Sequence, residues 1–143
     1  MKIYIASPFF NEVQLNDVDD IKAILYELGL NFFSPKDENL ANPDDDGDVL
    51  LSVFSRNIKE ILVCDLMIAN TRDKDMGTLF EAGYAYATHV PVIYYCNGLK
   101  GNFNLMLAQS AVAVATNKTE LFTYISRFLQ DKNYSNKYSG RIE

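Results

Sequence analysis

A chain of 143 residues that is 48% apolar and 22% charged is sized and composed for one globular domain with its own core, which excludes a disordered or disulfide-dependent polypeptide. The formal charge is -6 and the basic residues are scattered, so a surface that follows the phosphates of a nucleic acid polymer is excluded. A single histidine, His89, excludes a histidine triad or a multi-histidine metal site by count.

Lys2 to Ala6 is a short β-rich run halted at Ser7-Pro8, and it reads as the first strand. Phe9, Phe10 and Asn11 follow in a loop at its carboxyl end, where open parallel sheets bind ligands; the two rings serve equally as core or as an apolar wall. Apolar residues at Val18, Ile21, Ile24, Leu25 and Leu28 give the next segment a helical face, with Gly29 placed to end it. Asn31 to Ser34 repeats the strand logic before Pro35, and a strand-helix-strand start implies a right-handed parallel crossover.

Residues 36–48 read as a loop with an acidic run, positioned to cover a site, whose spacing does not suit calcium. Val49 to Val63 is helical by period, Asp65 to Asn70 is a strand with Asp65 in a turn or capping role, and Gly77 to Thr88 is a helix. Pro91 to Cys96 is a nearly continuous apolar strand of the kind buried on both faces. A turn at 97–101, a short helix at Asn104 to Gln109, a fifth strand at Ala111 to Ala115 and a closing helix at Lys118 to Leu129 complete a domain over residues 1–130. Residues 131–143 read as a polar tail.

Alternating strands and helices predict a single α/β domain on a parallel sheet. Cys64 and Cys96 lie in apolar runs and form no CxxC pair, so they read as buried free thiols of a reducing compartment. The run Met1 to Pro8 is too short for a signal peptide or a membrane span, and the expectation is a soluble, cytoplasmic protein.

The chemistry concentrates in Asp73 to Ala87. Glu81 stands three residues after Thr78, the spacing of a capping box, which is the commoner use of that pattern, and it also suits a carboxylate aimed into a pocket with Asp75 beside it. Dinucleotide, phosphate-loop and nucleophile-elbow motifs are missing, and His89 beside Pro91 reads as a helix C-terminal cap. What remains is carboxylates, tyrosines and asparagines placed after strands. Tyr4, alternating with Ile3 and Ile5, presents a phenol on one face of the first strand, either to a carboxylate above the sheet or to the core.

Tyr4 within Lys2 to Phe10, Asp75 six residues before Glu81, the run Glu81-Ala82-Gly83-Tyr84-Ala85, and Asn104-Leu105-Met106 stand in an order that resembles the nucleoside 2-deoxyribosyltransferases. The resemblance implies a Rossmann-like, flavodoxin-like five-stranded parallel sheet and a ping-pong transfer of 2-deoxyribose between bases. In it Glu81 is the nucleophile, Tyr4 positions that carboxylate, Asp75 is the acid at the base, and Phe10 is an aromatic wall of the base pocket, with Gly77 also at the substrate.

Asn104 and Met106 match positions that reach the 5′-hydroxyl side of a neighbouring subunit's pocket, which implies a homo-oligomer. The substrates implied are 2′-deoxynucleosides and free purine or pyrimidine bases; no cofactor and no metal are implied. One position departs from the pattern: where members of the family often carry an Asn-Asp pair in the helix before the third strand, this chain has Arg56-Asn57. Asn57 both donates and accepts, which bears on base preference.

Two alternatives stand beside this reading. A 2′-deoxynucleoside 5′-monophosphate N-glycosidase would share the sheet and the glutamate, with a serine-bearing phosphate site near Ser110. A non-catalytic nucleotide-binding module would use the same crevice for binding alone.

Overall fold

The computed structural model describes residues 1–143. Along the chain lie β1 (Lys2–Ala6), α1 (Glu12–Glu27), β2 (Asn31–Phe33), α2 (Pro35–Glu38), α3 (Gly47–Val63) and β3 (Leu66–Asn70). After them come α4 (Met76–Ala87), β4 (Val92–Tyr95), α5 (Leu105–Ser110), β5 (Ala113–Ala115) and α6 (Lys118–Gln130). All five strands pair in parallel, in the order β2-β1-β3-β4-β5. This is the doubly wound order whose crevice opens where the winding reverses, above the carboxyl ends of β1 and β3.

Strand alternation divides the core. Ile3 and Ile5 face α1 and α6 together with Ile68, Ile93 and Tyr95, while Tyr4 and Ala6 face α3 and α4 together with Met67, Ala69 and Tyr94. Covered on both faces, the strands are apolar almost throughout. Ala82 and Ala85 are the α4 residues fully buried against the sheet, and their small side chains bring that helix close above β1 and β3. Helix α3 behaves differently. It is apolar over most of its length, yet only Ile61 is fully buried, and Leu51, Phe54 and Val63 are each more than half exposed.

Local chemistry accounts for the helix ends. Gly29, at φ +65°, closes α1 with its amide on Tyr26 O and the Leu30 amide on Leu25 O, a Schellman ending. His89 takes the equivalent place after α4 at φ 63°, with its amide on Tyr86 O and the Val90 amide on Ala85 O, so it terminates the helix as expected. Asp65 brackets the start of β1: its carboxylate accepts from the Lys2 amide at 2.7 Å and its own amide donates to Lys2 O at 2.8 Å.

One expectation needs correction. The segment 36–48 is not loop throughout, because Pro35 opens the short helix α2 and the Asp46 carboxylate, accepting from the Val49 amide, starts α3 at Gly47. Residues 131–143, read as a polar tail, lie back against the domain. Phe103 donates to Arg141 O, accepts from the Glu143 amide, and packs edge-on against Tyr138 with ring centroids 5.4 Å apart.

Cys64 and Cys96 are free and buried, and burial pushes both thiols up to about 11. No helix is long and apolar enough to cross a membrane.

Candidate active site

The loops leaving the carboxyl ends of β1, β2 and β3 surround a cleft of about 440 Å³. Ser7, Phe9 and Phe10 follow β1; Pro35, Asn39, Leu40 and Ala41 follow β2; Val53 and Asn57 come from α3; and Asp75, Met76, Gly77, Thr78 and Glu81 come from the start of α4. The phenylalanine pair is wall rather than core. Phe10 is 75% exposed and tilts against Phe9 with ring centroids 4.9 Å apart.

Asp75 is the N-cap of α4. Its Oδ2 accepts from the Thr78 amide at 2.8 Å and from the Thr78 hydroxyl at 2.9 Å. This overturns the capping box between Thr78 and Glu81, because the helix begins at Met76, two residues before Thr78, which carries Glu81 into the second turn. Glu81 therefore has no capping duty and points into the cleft. A Cβ on Gly77 would lie 3.3 Å from Asp75 Oδ2, so glycine leaves the first turn clear beside that carboxylate.

The turn before Asp75 holds two consecutive non-glycine residues in the left-handed region, Asp73 at φ 59° and Lys74 at φ 53°. Gln14 ties this turn to the β1 loop: its Nε2 donates to Asp73 Oδ2 at 2.8 Å and its Oε1 accepts from the Phe10 amide at 2.7 Å. Gln14 is buried, and the sequence reading missed it. Its signal was present in the spacing Asn11-x-x-Gln14, since Asn11 caps α1 by accepting from the Gln14 amide. Asn39 was missed as well, for want of any local pattern around it.

Tyr4 lies beneath the cleft floor, fully buried, and donates from its hydroxyl to Glu81 Oε1 at 3.1 Å. Burial pushes the Glu81 carboxyl up to about 7; the Tyr4 hydrogen bond opposes the rise and the nearby charge of Asp75 adds to it. Burial, and then the charge of Glu81, raise the Tyr4 phenol far above its ordinary range, so Tyr4 remains a donor. A half-ionised carboxylate, a permanent donor on one of its oxygens and a second carboxyl group in the same cleft make a site equipped for nucleophilic and acid-base work at a glycosidic bond.

The profile of the family described as "Nucleoside 2-deoxyribosyltransferase" matches residues 3–123. The chain belongs to this family of pentosyltransferase enzymes. It is similar to a solved 2-deoxyribosyltransferase of Bacillus psychrosaccharolyticus, at 31% identity over 87% of this chain and 92% of that one, with a TM-score of 0.76. A conserved protein of Enterococcus faecalis shares the fold at 19% identity and a TM-score of 0.72, covering 89% of this chain and 98% of that one. So does a CMP N-glycosidase of Clostridium botulinum, at 19% identity and a TM-score of 0.59, covering 89% and 99%. A search of curated proteins finds no match.

Of the positions singled out in this deoxyribosyltransferase-family chain, Phe10, Asn57, Asp75, Gly77 and Glu81 line one cleft and Tyr4 supports it from below. Asn104 and Met106 lie outside it. Asn104 caps α5, accepting from the Met106 and Leu107 amides, and borders a separate hollow of about 340 Å³ beside Leu79 and Phe103. Met106 is 74% exposed. Arg56 is absent from the cleft lining, since its guanidinium donates to Glu38 O and lies over the Phe33 ring.

Proposed function

We propose that this enzyme transfers the 2-deoxyribosyl group between the bases of 2′-deoxynucleosides through a covalent intermediate on Glu81. The observation that carries the reading is the Tyr4 to Glu81 hydrogen bond at the floor of a cleft that also presents Asp75. In the reactive form Glu81 is ionised and Asp75 bears a proton. One Glu81 oxygen forms a bond to the anomeric carbon, the bond from that carbon to the base nitrogen breaks, and its electron pair stays on the base, which takes the proton from Asp75. A second base then attacks from the face that the first base left, displaces Glu81 as the carboxylate and returns its proton to Asp75, so two inversions give net retention.

The energetics suit these groups. A nucleobase leaves poorly as an anion, and a positioned acid contributes on the order of 10² to 10⁴ in rate. A 2-deoxy sugar has no electron-withdrawing 2′-hydroxyl to oppose an oxocarbenium-like centre, so an ordinary carboxylate suffices as the nucleophile. Phe10, at the cleft mouth, offers a flat face to the base.

Incubation with 2′-deoxyinosine and adenine tests the reading. Deoxyadenosine that forms only when adenine is present supports transfer, whereas hypoxanthine released without transfer supports hydrolysis. The rival 5′-monophosphate N-glycosidase would use Ser110, whose hydroxyl lies outside the cleft as Asn104 does, 3.1 Å from the Tyr94 hydroxyl and 3.1 Å from Leu107 O, to which it donates; hydrolysis of a 5′-monophosphate in preference to the deoxynucleoside would support it. Ligand binding with no turnover would support the non-catalytic module instead.

The role given to Tyr4 has its own consequence. Glu81 is pushed up to about 7 and reacts as the carboxylate, so its titration sets one limb of the pH dependence of kcat/KM. Tyr4→Phe removes the one interaction that lowers the Glu81 pKa, so that limb moves above 7 and kcat/KM at neutral pH drops by roughly tenfold to a hundredfold. A limb that stays in place in the variant would contradict this role.

The exposed apolar face of α3 and α4 supports a homo-oligomer in which a second copy covers it and brings its own Asn104 and Met106 to this cleft. Phe54 and Phe80 sit side by side on that face, their ring centroids 6.2 Å apart, and each is more than half exposed. Phe54→Asp is expected to reduce the mass measured by light scattering to that of a single chain and to lower transfer with it. A variant of unchanged mass would put the interface elsewhere. Two buried free thiols fit a reducing, cytoplasmic setting.

A further inference from the structure

We propose that Asn57 faces the cleft as a hydrogen-bond donor and thereby selects bases with an oxo group on their outer edge, such as hypoxanthine, guanine, thymine or uracil, over adenine and cytosine. The orientation of its amide follows from a short relay. Asn39 Nδ2 donates to Val53 O at 2.8 Å and to Asn57 Oδ1 at 2.8 Å, which uses both of its hydrogens. A backbone carbonyl only accepts, so a reversed Asn39 amide would set two acceptors against each other, and Val53 O thereby fixes the polarity of Asn39. Asn39 in turn fixes Asn57, whose Oδ1 is occupied and whose Nδ2 makes no bond within the chain.

Asn57 lines the same cleft as Glu81 and Asp75, and with its Oδ1 engaged by Asn39 the group it has free for a ligand there is N–H. A base whose glycosidic nitrogen lies at Glu81 and Asp75 directs its far edge away from them. On that edge the exocyclic group at position 6 of a purine, or 4 of a pyrimidine, projects furthest. An oxo group accepts from Asn57; an amino group meets it donor to donor and leaves both unpaired. An aspartate at this position would accept both from Asn39 and from an amino base, so Asn57 inverts the polarity of this contact.

The inference rests on the transfer reading only in taking a nucleobase as the occupant, and its test is therefore binding of the free bases. Calorimetry with hypoxanthine and with adenine, on the wild type, Asn57→Asp and Asn39→Asp, is expected to show the wild type favouring hypoxanthine by about tenfold or more. Asn57→Asp, nearly isosteric, should shift that ratio toward adenine by at least about tenfold. Asn39→Asp should shift it in the same direction with Asn57 intact, because a carboxylate at 39 accepts from Asn57 Nδ2 and turns Oδ1 into the cleft. Bases that bind with a ratio unmoved in both variants overturn the selectivity and leave transfer standing. A ratio that moves as expected without any deoxyribosyl exchange overturns transfer and upholds the selectivity; a wild type that binds the two bases equally overturns the selectivity alone.

Discussion

Glu81→Gln is expected to lower kcat for deoxyribosyl exchange by at least about 10³-fold, because the amide cannot form the covalent intermediate while the geometry around it is kept. Stability should move the other way above neutrality. The folded state holds the Glu81 proton up to about pH 7, whereas an unfolded chain releases it near the ordinary glutamate range, so the wild type loses stability as pH rises between those values. The glutamine variant escapes that loss. Its melting temperature relative to wild type should therefore rise between about pH 5 and pH 8 as activity stays lost, a combination that simple misfolding does not produce. Thermal melts across that range, read beside the exchange assay, check both halves.

Asp75 has two duties that substitution separates. Its Oδ2 caps α4 through Thr78, and its carboxyl group is assigned the proton that the leaving base takes. Asparagine caps a helix about as well as aspartate but carries no acidic proton. Asp75→Asn should hold the wild-type melting temperature while kcat falls on the order of 10² to 10³. Asp75→Ala loses the same rate and also about 1 kcal/mol of stability with the cap. Deoxynucleosides whose bases leave easily should suffer least in either variant. If Asp75→Asn exchanged bases at the wild-type rate, the acid would have to be sought elsewhere in the cleft.

The sheet was legible in the sequence because β1 to β4 are short apolar runs halted by Ser-Pro, Asn-Thr or Cys-Asn, and because the helices between them repeat at helical spacing. Tyr4, Asp75 and Glu81 were legible through their order along the chain. The boundary errors have local causes. A cap depends on which side chain reaches the helix start, so Asp75 displaced Thr78 although Thr78 and Glu81 had the spacing of a capping box. Residues 131–143 looked polar by composition, yet Phe103 gathers them through two backbone bonds and the Tyr138 ring. Pairings between distant elements, such as Gln14 with Asp73 or Asn39 with Asn57, leave no periodic trace, and the turn carrying Asp73 and Lys74 at positive φ contains no glycine to announce it.

The most direct measurement is the intact mass of the protein after brief exposure to 2′-deoxyinosine with no acceptor base, followed by peptide mapping. A mass increase of one deoxyribosyl group, located on the peptide that carries Glu81, lost on addition of adenine with formation of deoxyadenosine, and never seen in Glu81→Gln, is the predicted result. Exchange of bases in the wild type with no adduct, or an adduct that persists in Glu81→Gln, would contradict it.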